Sequence, residues 1–459
     1  MITYIKKKIN FQNSVIISFL VITVMAIIYT FLKDSYYKSD GQSSNYTYYY
    51  KIIFFILFLF FFIILQLSNE VKKYFLIISF SSILGLYLHE IMIRSIIFKK
   101  HNTLLPKNFD QRGVAEVVSD LRKENKNSFP LISPTNFLFS DGITILNKNS
   151  ESKKVFPLGG VSKVLTPLCN ELGDWVIYKS DRYGFNNPDK IWDNSKIDYL
   201  IIGDSFAHGA CARATFDIRG QIERKTKKKI ITLGYGGNGP LLSMASYLEF
   251  NNLIDPEYLV WIYYEHSDLV DLSKEMSYSN ILKNYFKENY SQNLTIFQKN
   301  IDEELKSSYN KKIILSILKL QLTRKRTIDS FASRLFSKKK EQVTKTKNSE
   351  KLPITDKKQL INFELVLNKI NKEVLKNNQK LLFVYLPSFE RYFNKKNVIN
   401  FYSEEIFEIL NRNNILYVDI IRKFENHDDP VSYFPLRQSA HFTEEAYDMI
   451  TDEILKKLD

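Results

Sequence analysis

The sequence predicts an α/β fold: a three-layer α/β/α arrangement around a doubly wound, parallel five-stranded sheet, preceded by an N-terminal region of three transmembrane helices. Two observations support this prediction. From residue 195 onward, short apolar runs alternate with segments of helical pattern, and that alternation is typical of a parallel sheet covered by helices. Before residue 100, three long apolar segments follow one another, and each approaches the length needed to cross a bilayer.

The N-terminal region, residues 1–100, holds three apolar segments, which lie at about 14–32, 48–67 and 74–98. A secretory signal would be one such segment followed by a cleavage site, so three segments predict three transmembrane helices. The lysine cluster at 6–8 precedes the first segment and favours a cytoplasmic N-terminus. Because three is an odd number of spans, we expect the C-terminal domain on the periplasmic or extracytoplasmic side of a bacterial inner (cytoplasmic) membrane.

The region from 101 to 194 is polar and mixed, and it is predicted to connect the membrane region to the following domain and to pack on that domain. It ends in the sequence Gly-Phe-Asn-Asn-Pro at 184–188, whose composition predicts a turn.

The alternating pattern occupies a domain at 195–459. Its predicted strands lie at 198–203, 229–234, 258–264, 380–386 and 415–420. Its predicted helices lie at 210–225, 240–250, 356–377, 401–413 and 443–458. Pro240 suits a first helical turn, and Thr443 suits an N-cap. A Lys-rich insertion at about 272–356 interrupts the alternation and is predicted to be helical and to end in a solvated linker.

Composition excludes several function classes. The chain of 459 residues carries a net charge of +14, but its lysines are scattered and not interleaved with aromatic residues, which argues against a nucleic-acid partner. No clustered His/Cys pattern indicates a metal site, and no cofactor is expected. The two cysteines, Cys169 and Cys211, cannot form a disulfide-rich scaffold. They could form one disulfide if the domain lies outside the cytoplasm; two free thiols are the alternative.

Ser205 is the candidate nucleophile. An apolar run at 199–202 is followed by Gly203, Asp204 and Ser205, so the serine is expected at the carboxyl end of a strand and at a helix N-terminus. Open α/β sheets bind their ligands there, and the helix dipole favours developing negative charge. The alternative is an ordinary Gly-Asp-Ser turn.

A serine hydroxyl needs a general base within hydrogen-bond reach. His441, just before the last predicted helix and at the carboxyl side of the sheet, is the expected base. His208 and His266 lie near the same edge and are rivals, although a structural or substrate-lining role is expected for both.

Four short blocks make this chain resemble the SGNH (GDSL-like) hydrolases. The longer pattern, with Gly-Phe-Asn-Asn-Pro upstream and Gly-Asn-Gly-Pro and Tyr-Glu downstream, also resembles a bacterial membrane-anchored subgroup of this family. The blocks are Gly203-Asp-Ser205, Leu233-Gly-Tyr-Gly-Gly-Asn-Gly-Pro240, Tyr264-Glu-His-Ser-Asp-Leu269 and Ala440-His-Phe-Thr-Glu-Glu445. Each follows a predicted strand or precedes the last helix, in the family's order. The resemblance covers 195–459 apart from the insertion, and it implies an α/β/α fold and hydrolysis of acyl esters.

The resemblance also implies an oxyanion hole. Its donors would be the backbone amides of Ser205 and Gly237, with Gly236 next in line. The third donor falls on Ser267, where the family has an asparagine whose side chain reaches further. Asn238 could supply a substitute amide, which would matter because losing one donor lowers the rate about 10²–10³-fold.

The family's triad acid, three residues before the histidine, falls on Gln438. A loop aspartate, Asp428 or Asp429, could take that role, or the site could operate as a Ser-His dyad. Asp204 is expected to fix the turn beside the nucleophile, and Asp268 to cap the loop after the third strand.

These residues predict a membrane-anchored serine esterase that removes an acyl group, for example acetyl, from an envelope glycan or lipid through an acyl-enzyme on Ser205. Expected partners are an ester-bearing glycan or lipid, the lipid bilayer and other envelope-glycan enzymes. One alternative is an O-acyltransferase of cell-surface polysaccharide that uses the same site. Another is an SGNH-like glycan-binding module with weak or no activity, which the departures at Ser267 and Gln438 favour. A disulfide between Cys169 and Cys211 would tie the connecting region to the nucleophile's helix.

Overall fold

The structure, a computed structural model, describes residues 11–39, 45–102, 109–110, 112–124, 126–146, 151–318, 357–393 and 400–458. The described residues belong to two compact units, one within 11–102 and one from 109 onward.

The N-terminal unit consists of three helices: α1 (Phe11–Ser39), α2 (Asn45–Gln66) and α3 (Asn69–Asn102). The stretch Phe11–Phe31 of α1 is, in the described part of the chain, the one helix long and apolar enough to cross a membrane, and the apolar stretch Lys51–Gln66 of α2 is shorter. The three predicted segments are therefore helical. Among the described residues, however, one segment and not three has the length and composition of a membrane span. A single apolar helix near an N-terminus is also compatible with a signal sequence.

The larger unit begins with the connecting region, which is more regular than its composition predicts. It contains α4 (Val114–Lys123) and two antiparallel hairpins, β1 (Ile143–Leu146) with β2 (Ser152–Val155) and β3 (Leu165–Cys169) with β4 (Val176–Lys179). It packs against the α/β core through buried aromatic residues, among them Phe156 and Phe185, which are fully buried.

The predicted parallel five-stranded sheet is confirmed. Its strands are β5 (Lys196–Ile202), β6 (Ile230–Thr232), β7 (Asp255–Tyr264), β8 (Lys380–Leu386) and β9 (Leu416–Asp419). They pair in parallel in the order β6-β5-β7-β8-β9. The strands read as nearly continuous apolar runs because both faces of a parallel sheet are covered. Successive residues face opposite sides, so Leu200 lies in one apolar core and Ile201 in the other.

The helices of this unit are α5 (Ser205–His208), α6 (Ile218–Thr226), α7 (Pro240–Phe250), α8 (Asp268–Tyr278), α9 (Asn280–Lys283), α10 (Gln298–Leu318), α11 (Lys357–Lys376), α12 (Phe389–Phe393), α13 (Ser403–Arg412), α14 (Ile420–Glu425) and α15 (Glu444–Leu458). Residues of α7, α11 and α13 share one core with the sheet, and residues of α6, α14 and α15 share the other. This gives the three predicted layers.

One predicted helix, at 210–225, is wrong in its first half. The chain makes the single turn α5, ends it at Gly209 in the left-handed conformation, and starts a new helix, α6, after Asp217. The carboxylate of Asp217 accepts a hydrogen bond from the amide of Gly220 at 2.6 Å and so caps α6. The loop between the two helices contains Cys211.

The Gly-Phe-Asn-Asn-Pro segment holds the connecting region on the sheet. Asn187 donates to the carbonyl of Thr232 at 2.9 Å and accepts from the amide of the same residue at 2.8 Å. Thr232 lies on β6, an edge strand, so the side-chain amide of Asn187 pairs backbone groups that have no neighbouring strand to bond. The buried carboxylate of Asp181 in turn accepts hydrogen bonds from Asn187, Trp192 and the amide of Phe185.

The described half of the insertion packs against the connecting region and α7. The buried carboxylate of Glu249, on α7, accepts from the Tyr285 hydroxyl at 2.6 Å and from the amides of Gln292 and Leu294 at 2.9 and 2.7 Å. The Gln292 side chain then bonds both backbone groups of Phe156. The rest of the predicted insertion, 319–356, lies outside the described residues.

Candidate active site

The nucleophile lies on a sharp turn at the carboxyl end of β5. Gly203 has φ +145°, and a Cβ at this position would overlap the carbonyl oxygen of Ile262 on β7, so only glycine fits. Asp204 then accepts a hydrogen bond from the amide of Phe206 at 2.9 Å, which is the turn-fixing contact expected of it. Ser205 becomes the first residue of α5, with its hydroxyl at the edge of the sheet.

His441 lies against this serine. Its Nε2 is 2.8 Å from the Oγ of Ser205, within the reach that a general base needs. The ring of Phe206, the residue after Ser205, packs against His441 and Phe442, with its centroid 5.1 Å from that of His441 and 4.7 Å from that of Phe442. Phe442 is fully buried, and it anchors the backbone next to the base.

The other ring nitrogen of His441 faces a carboxylate that sequence reasoning missed. Oε1 of Glu171 lies 2.9 Å from Nδ1, and Oε2 accepts from the backbone amide of His441, also at 2.9 Å. A carboxylate can only accept, so Nδ1 carries the ring proton and Nε2 is free to accept from Ser205. Ser205, His441 and Glu171 therefore form a Ser-His-acid array of the kind that activates a serine for acyl transfer.

The electrostatics of Glu171 fit this role. Burial acts to raise the pKa of its carboxyl, but the hydrogen bond and the charge of His441 outweigh burial and hold the pKa below its ordinary value of 4.5. The carboxylate is therefore ionised at neutral pH and can stabilise a protonated imidazole.

The residues proposed from sequence as the acid lie elsewhere. Asp429 pairs with the guanidinium of Arg437 at 2.9 Å, and the side chain of Gln438 is exposed. Glu171 belongs to the turn between β3 and β4, outside the blocks that carry the family resemblance. One signal could have pointed to it: Cys169 lies two residues earlier, and a Cys169–Cys211 bond would bring this turn to the nucleophile's helix.

That bond is present in the structure, where Cys169 and Cys211 form a disulfide. The sulfur of Cys211 lies 3.5 Å from Nδ1 of His441. Glu171, Cys211 and His441 thus group three atoms of types that bind metals within 4.8 Å of one another. Metal binding by cysteine needs a thiolate, and the disulfide removes it, which leaves Glu171 and His441 bonded to each other in the Ser-His-acid array.

The loop after β6, where the oxyanion glycines were predicted, lies beside the nucleophile. A Cβ at Gly236 would be 3.9 Å from the Cβ of Ser205. The hydroxyl of Ser133, in the connecting region, donates to the carbonyl of Gly236 at 2.6 Å. Gly237 is exposed, has φ +84° and faces Thr135. The amide of Gly236 is engaged with His208, while none of the described residues accepts a hydrogen bond from that of Gly237.

His208 supports this loop. Its Nδ1 accepts from the amide of Gly236 at 3.3 Å, and its ring stacks on Tyr235 with centroids 4.4 Å apart. Burial, followed by the charge of His441, lowers the pKa of His208 to about 3. The imidazole is therefore neutral and structural, as expected, and not the base.

The remaining predicted site residues lie around the same edge. Asp268 accepts from the amide of Tyr264 at 3.2 Å and so closes the loop after β7. The Ser267 hydroxyl lies 3.5 Å from the carboxylate of Asp268. Asn238 is fully buried, and neither polar atom of its side chain has a partner among the described residues.

The carboxyl groups of Asp204 and Asp268 are both buried. Burial raises the pKa of both, and the neighbouring Asp204 raises that of Asp268 further.

His266 is held by a different partner. Its Nδ1 lies 3.3 Å from a carboxylate oxygen of Glu390, and the other oxygen accepts from the hydroxyl of Ser439 at 2.8 Å. The neighbouring carboxylate of Glu390 raises the pKa of His266. Ser439, which donates to Glu390, is two residues before His441 in sequence. This neighbourhood suits a role for His266 in lining the site.

Comparisons with known proteins give matches in structure only. No protein-family model and no curated protein matches the sequence. A protein described as lipolytic, of the G-D-S-L family, from Desulfitobacterium hafniense DCB-2 is 12% identical with a TM-score of 0.31, and the match covers 57% of this chain and 99% of that one. A lipase/acylhydrolase from Enterococcus faecalis is 9% identical with a TM-score of 0.30, covering 58% and 95%.

A mutant acetyl-xylooligosaccharide esterase from Geobacillus stearmophilus is 11% identical with a TM-score of 0.31, covering 57% and 94%. The functional assignment rests on the geometry of Ser205, His441 and Glu171.

Proposed function

We propose that the larger unit is a serine esterase that hydrolyses acyl esters through an acyl-enzyme on Ser205. One observation carries the proposal: the continuous hydrogen-bonded array from the Ser205 hydroxyl to His441 at 2.8 Å and on to Glu171 at 2.9 Å. A serine on a strand-end turn becomes a nucleophile only when a base and its orienting acid are aligned with it. The complete array also argues against an inactive binding module.

In the proposed reaction, His441 takes the hydroxyl proton as Ser205 attacks the ester carbonyl. Glu171 keeps the ring oriented and stabilises the imidazolium that forms. The amides of Ser205 and Gly237 donate to the oxyanion, and each such donor contributes about 3–4 kcal/mol to the transition state. His441 then returns its proton to the leaving alcohol and later activates the water that releases the acyl group.

The proposed substrate is an acyl ester, for example an acetyl ester, on an envelope glycan or lipid, and the proposed location is the outer side of the cytoplasmic membrane. Two features support the location. The stretch Phe11–Phe31 has the length and apolarity of a membrane anchor. The Cys169–Cys211 disulfide is typical of oxidising compartments outside the cytoplasm.

Labelling with a fluorophosphonate probe tests the proposed chemistry. Wild-type protein should be labelled, Ser205→Ala should not, and His441→Ala should react far more slowly because the hydroxyl loses its base. His427→Ala is the matched control, since His427 lies in a loop and bonds the amide of Asp429 instead of the serine. Labelling that survives Ser205→Ala would exclude this serine as the nucleophile.

Product analysis then separates hydrolysis from transfer. With a chromogenic acetyl ester alone, an esterase releases acetate. With an added polysaccharide acceptor, acetate release should stay unchanged for an esterase, whereas an O-acyltransferase would acetylate the polysaccharide.

A further inference from the structure

We propose that the Cys169–Cys211 disulfide is a positioning device for the triad acid, so that its reduction uncouples Glu171 from His441 and lowers esterase activity reversibly. The inference rests on the proposed function, because it concerns the same site. It adds a redox dependence that the triad alone does not imply.

Glu171 lies in a turn whose hydrogen bonds go mainly to other residues of the connecting region. The turn, residues 170–175, connects β3 to β4, and Gly173 in it donates to Asn170 at 3.0 Å. The segment before α4 also bonds to the turn. The carbonyl of Gly173 accepts from the amide of Asp110 at 2.7 Å, and the indole N–H of Trp175 donates to the carbonyl of Arg112 at 2.9 Å. All of these partners belong to the connecting region, so none of them places the turn relative to the nucleophile.

One covalent link and the hydrogen bonds of Glu171 join this turn to the α/β half of the unit, and Asp174 adds an attraction to the guanidinium of Arg213. Among hydrogen bonds between described residues, those of Glu171 reach only His441. The covalent link is the disulfide, which begins two residues before Glu171 and ends six residues after Ser205. The side chain of Glu171 is 26% exposed, and its neighbour Leu172 is 42% exposed, so packing around the acid is thin. Beyond the turn, β4 packs on the α/β half through Tyr178, whose ring centroid is 5.2 Å from that of His208. At the turn itself, the disulfide is the covalent link that holds the acid in register with the base.

The disulfide also keeps a competing proton donor away from the base. The sulfur of Cys211 is 3.5 Å from Nδ1 of His441, and in a disulfide this sulfur carries no hydrogen. A free thiol there could donate to Nδ1. The ring proton would then move to Nε2, which could no longer accept from Ser205. Reduction thus weakens the triad twice, by releasing Glu171 and by supplying a rival partner for the same nitrogen.

The redox step is ordinary thiol–disulfide exchange. A dithiol reductant transfers two electrons to the Cys169–Cys211 bond, each cysteine sulfur gains one proton, and the reductant becomes a cyclic disulfide. Reoxidation reverses the step. These two are the chain's only cysteines, so an effect of reductant on the pure protein reports on this bond.

The test compares kcat and KM of the full-length protein for a small chromogenic ester before reduction, after reduction and after reoxidation. Reduction should lower kcat about 10–100-fold, the cost of misplacing a catalytic group by about 1 Å, with KM nearly unchanged. Reoxidation should restore kcat. A low-field proton NMR signal of the His441 ring N–H should be present in the oxidised protein and lost on reduction.

A double-perturbation cycle separates positioning from general stabilisation. Reduction should lower kcat of wild type about 10–100-fold but that of Glu171→Gln by less than about a further twofold, because both effects of reduction act on the bond between the Glu171 carboxylate and Nδ1 of His441, which the variant already lacks. If the bond only stabilised the fold, both proteins would lose activity by the same factor. The Cys169→Ser/Cys211→Ser double variant should be folded by circular dichroism, slow, and insensitive to reductant.

The outcomes are distinguishable from failure of the proposed function. If the oxidised protein lacks activity that depends on Ser205, the esterase assignment fails. If that activity is present and kcat is unchanged by reduction, or if Glu171→Gln responds to reduction as fully as wild type does, the positioning inference is overturned.

Discussion

Replacing Glu171 by glutamine tests the proposed triad directly, because the change keeps the size of the side chain and removes its charge. Both oxygens of Glu171 accept from His441, one from ring Nδ1 and one from the backbone amide, each at 2.9 Å. Glutamine offers one oxygen and one NH₂ group. If the oxygen faces the ring, the NH₂ group meets the backbone N–H, donor against donor. If the NH₂ group faces the ring, it donates to Nδ1 and forces the ring proton onto Nε2.

The expected magnitude follows from this geometry. Exchange of the acid for its amide in a buried triad lowers kcat by about 10⁴-fold, because the imidazole adopts the wrong tautomer. The Glu171 side chain is 26% exposed, so in the variant a water molecule can accept some of the hydrogen bonds that the carboxylate accepts in wild type. We therefore expect a loss of about 10³-fold in kcat, equal to about 4 kcal/mol. The KM for a small ester should change little, since Glu171 acts through His441.

Steady-state kinetics with p-nitrophenyl acetate measure this loss. Asp174→Asn is the matched control: it removes a carboxylate from the same turn, but its side chain is exposed, and its kcat should stay within about twofold of wild type. Glu171→Asp keeps the charge on a shorter stem and should fall between the two. If kcat of Glu171→Gln stayed within about threefold of wild type, the acid role of Glu171 would be refuted.

Three further outcomes are expected. Gly237→Ala should lower the free energy of unfolding by about 1–2 kcal/mol, because the φ of +84° at this position disfavours a Cβ. Gly236→Ala, the control, should change it by less than about 0.5 kcal/mol, and denaturant titration compares the two variants. Burial lowers the pKa of His208 from 6.5 to about 3 in the folded protein. Between these two pH values the unfolded chain binds a proton that the folded protein does not, so stability falls as pH falls from 6.5 toward 3. His208→Gln should remove this slope of up to about 1.4 kcal/mol per pH unit, and denaturant titrations between about pH 4 and 7 that give equal slopes would contradict the assignment. Arg391→Leu should destabilise the unit by about 3–5 kcal/mol, because the fully buried carboxylate of Glu265 loses its 2.6 Å partner; adding Glu265→Gln should recover much of that loss, and no recovery would mean that the arginine stabilises by packing.

The sheet was predictable because its strands are uninterrupted apolar runs. The run that was predicted at 380–386 is strand β8 residue for residue, and the helix Pro240–Phe250 is also as predicted. Both faces of each central strand are buried, so the signal does not depend on fine alternation. The proximity of Ser205 and His441 was predictable for a related reason: each lies next to a strong secondary-structure boundary.

The parts that sequence reasoning missed depend on contacts between distant segments. The break between α5 and α6 looks helical by composition, but the loop that contains Cys211 is held by its bond to Cys169. The proposed acid is 270 residues from His441, in a region of polar, mixed composition. No local pattern marks Glu171, because a carboxylate in a turn is ordinary until the fold brings a histidine to it.

The way the connecting region is buried limits how this protein can be divided into fragments. A boundary at residue 195, which the family blocks favour, would keep Ser205 and His441 but remove Glu171 and the Ser133 contact to the oxyanion loop. It would also uncover the α7 surface on which Phe185 and Trp192 now pack, with ring centroids 5.2 and 5.9 Å from Phe250. Such a fragment would be prone to aggregation. For recombinant work, a fragment that keeps these contacts must therefore include the connecting region.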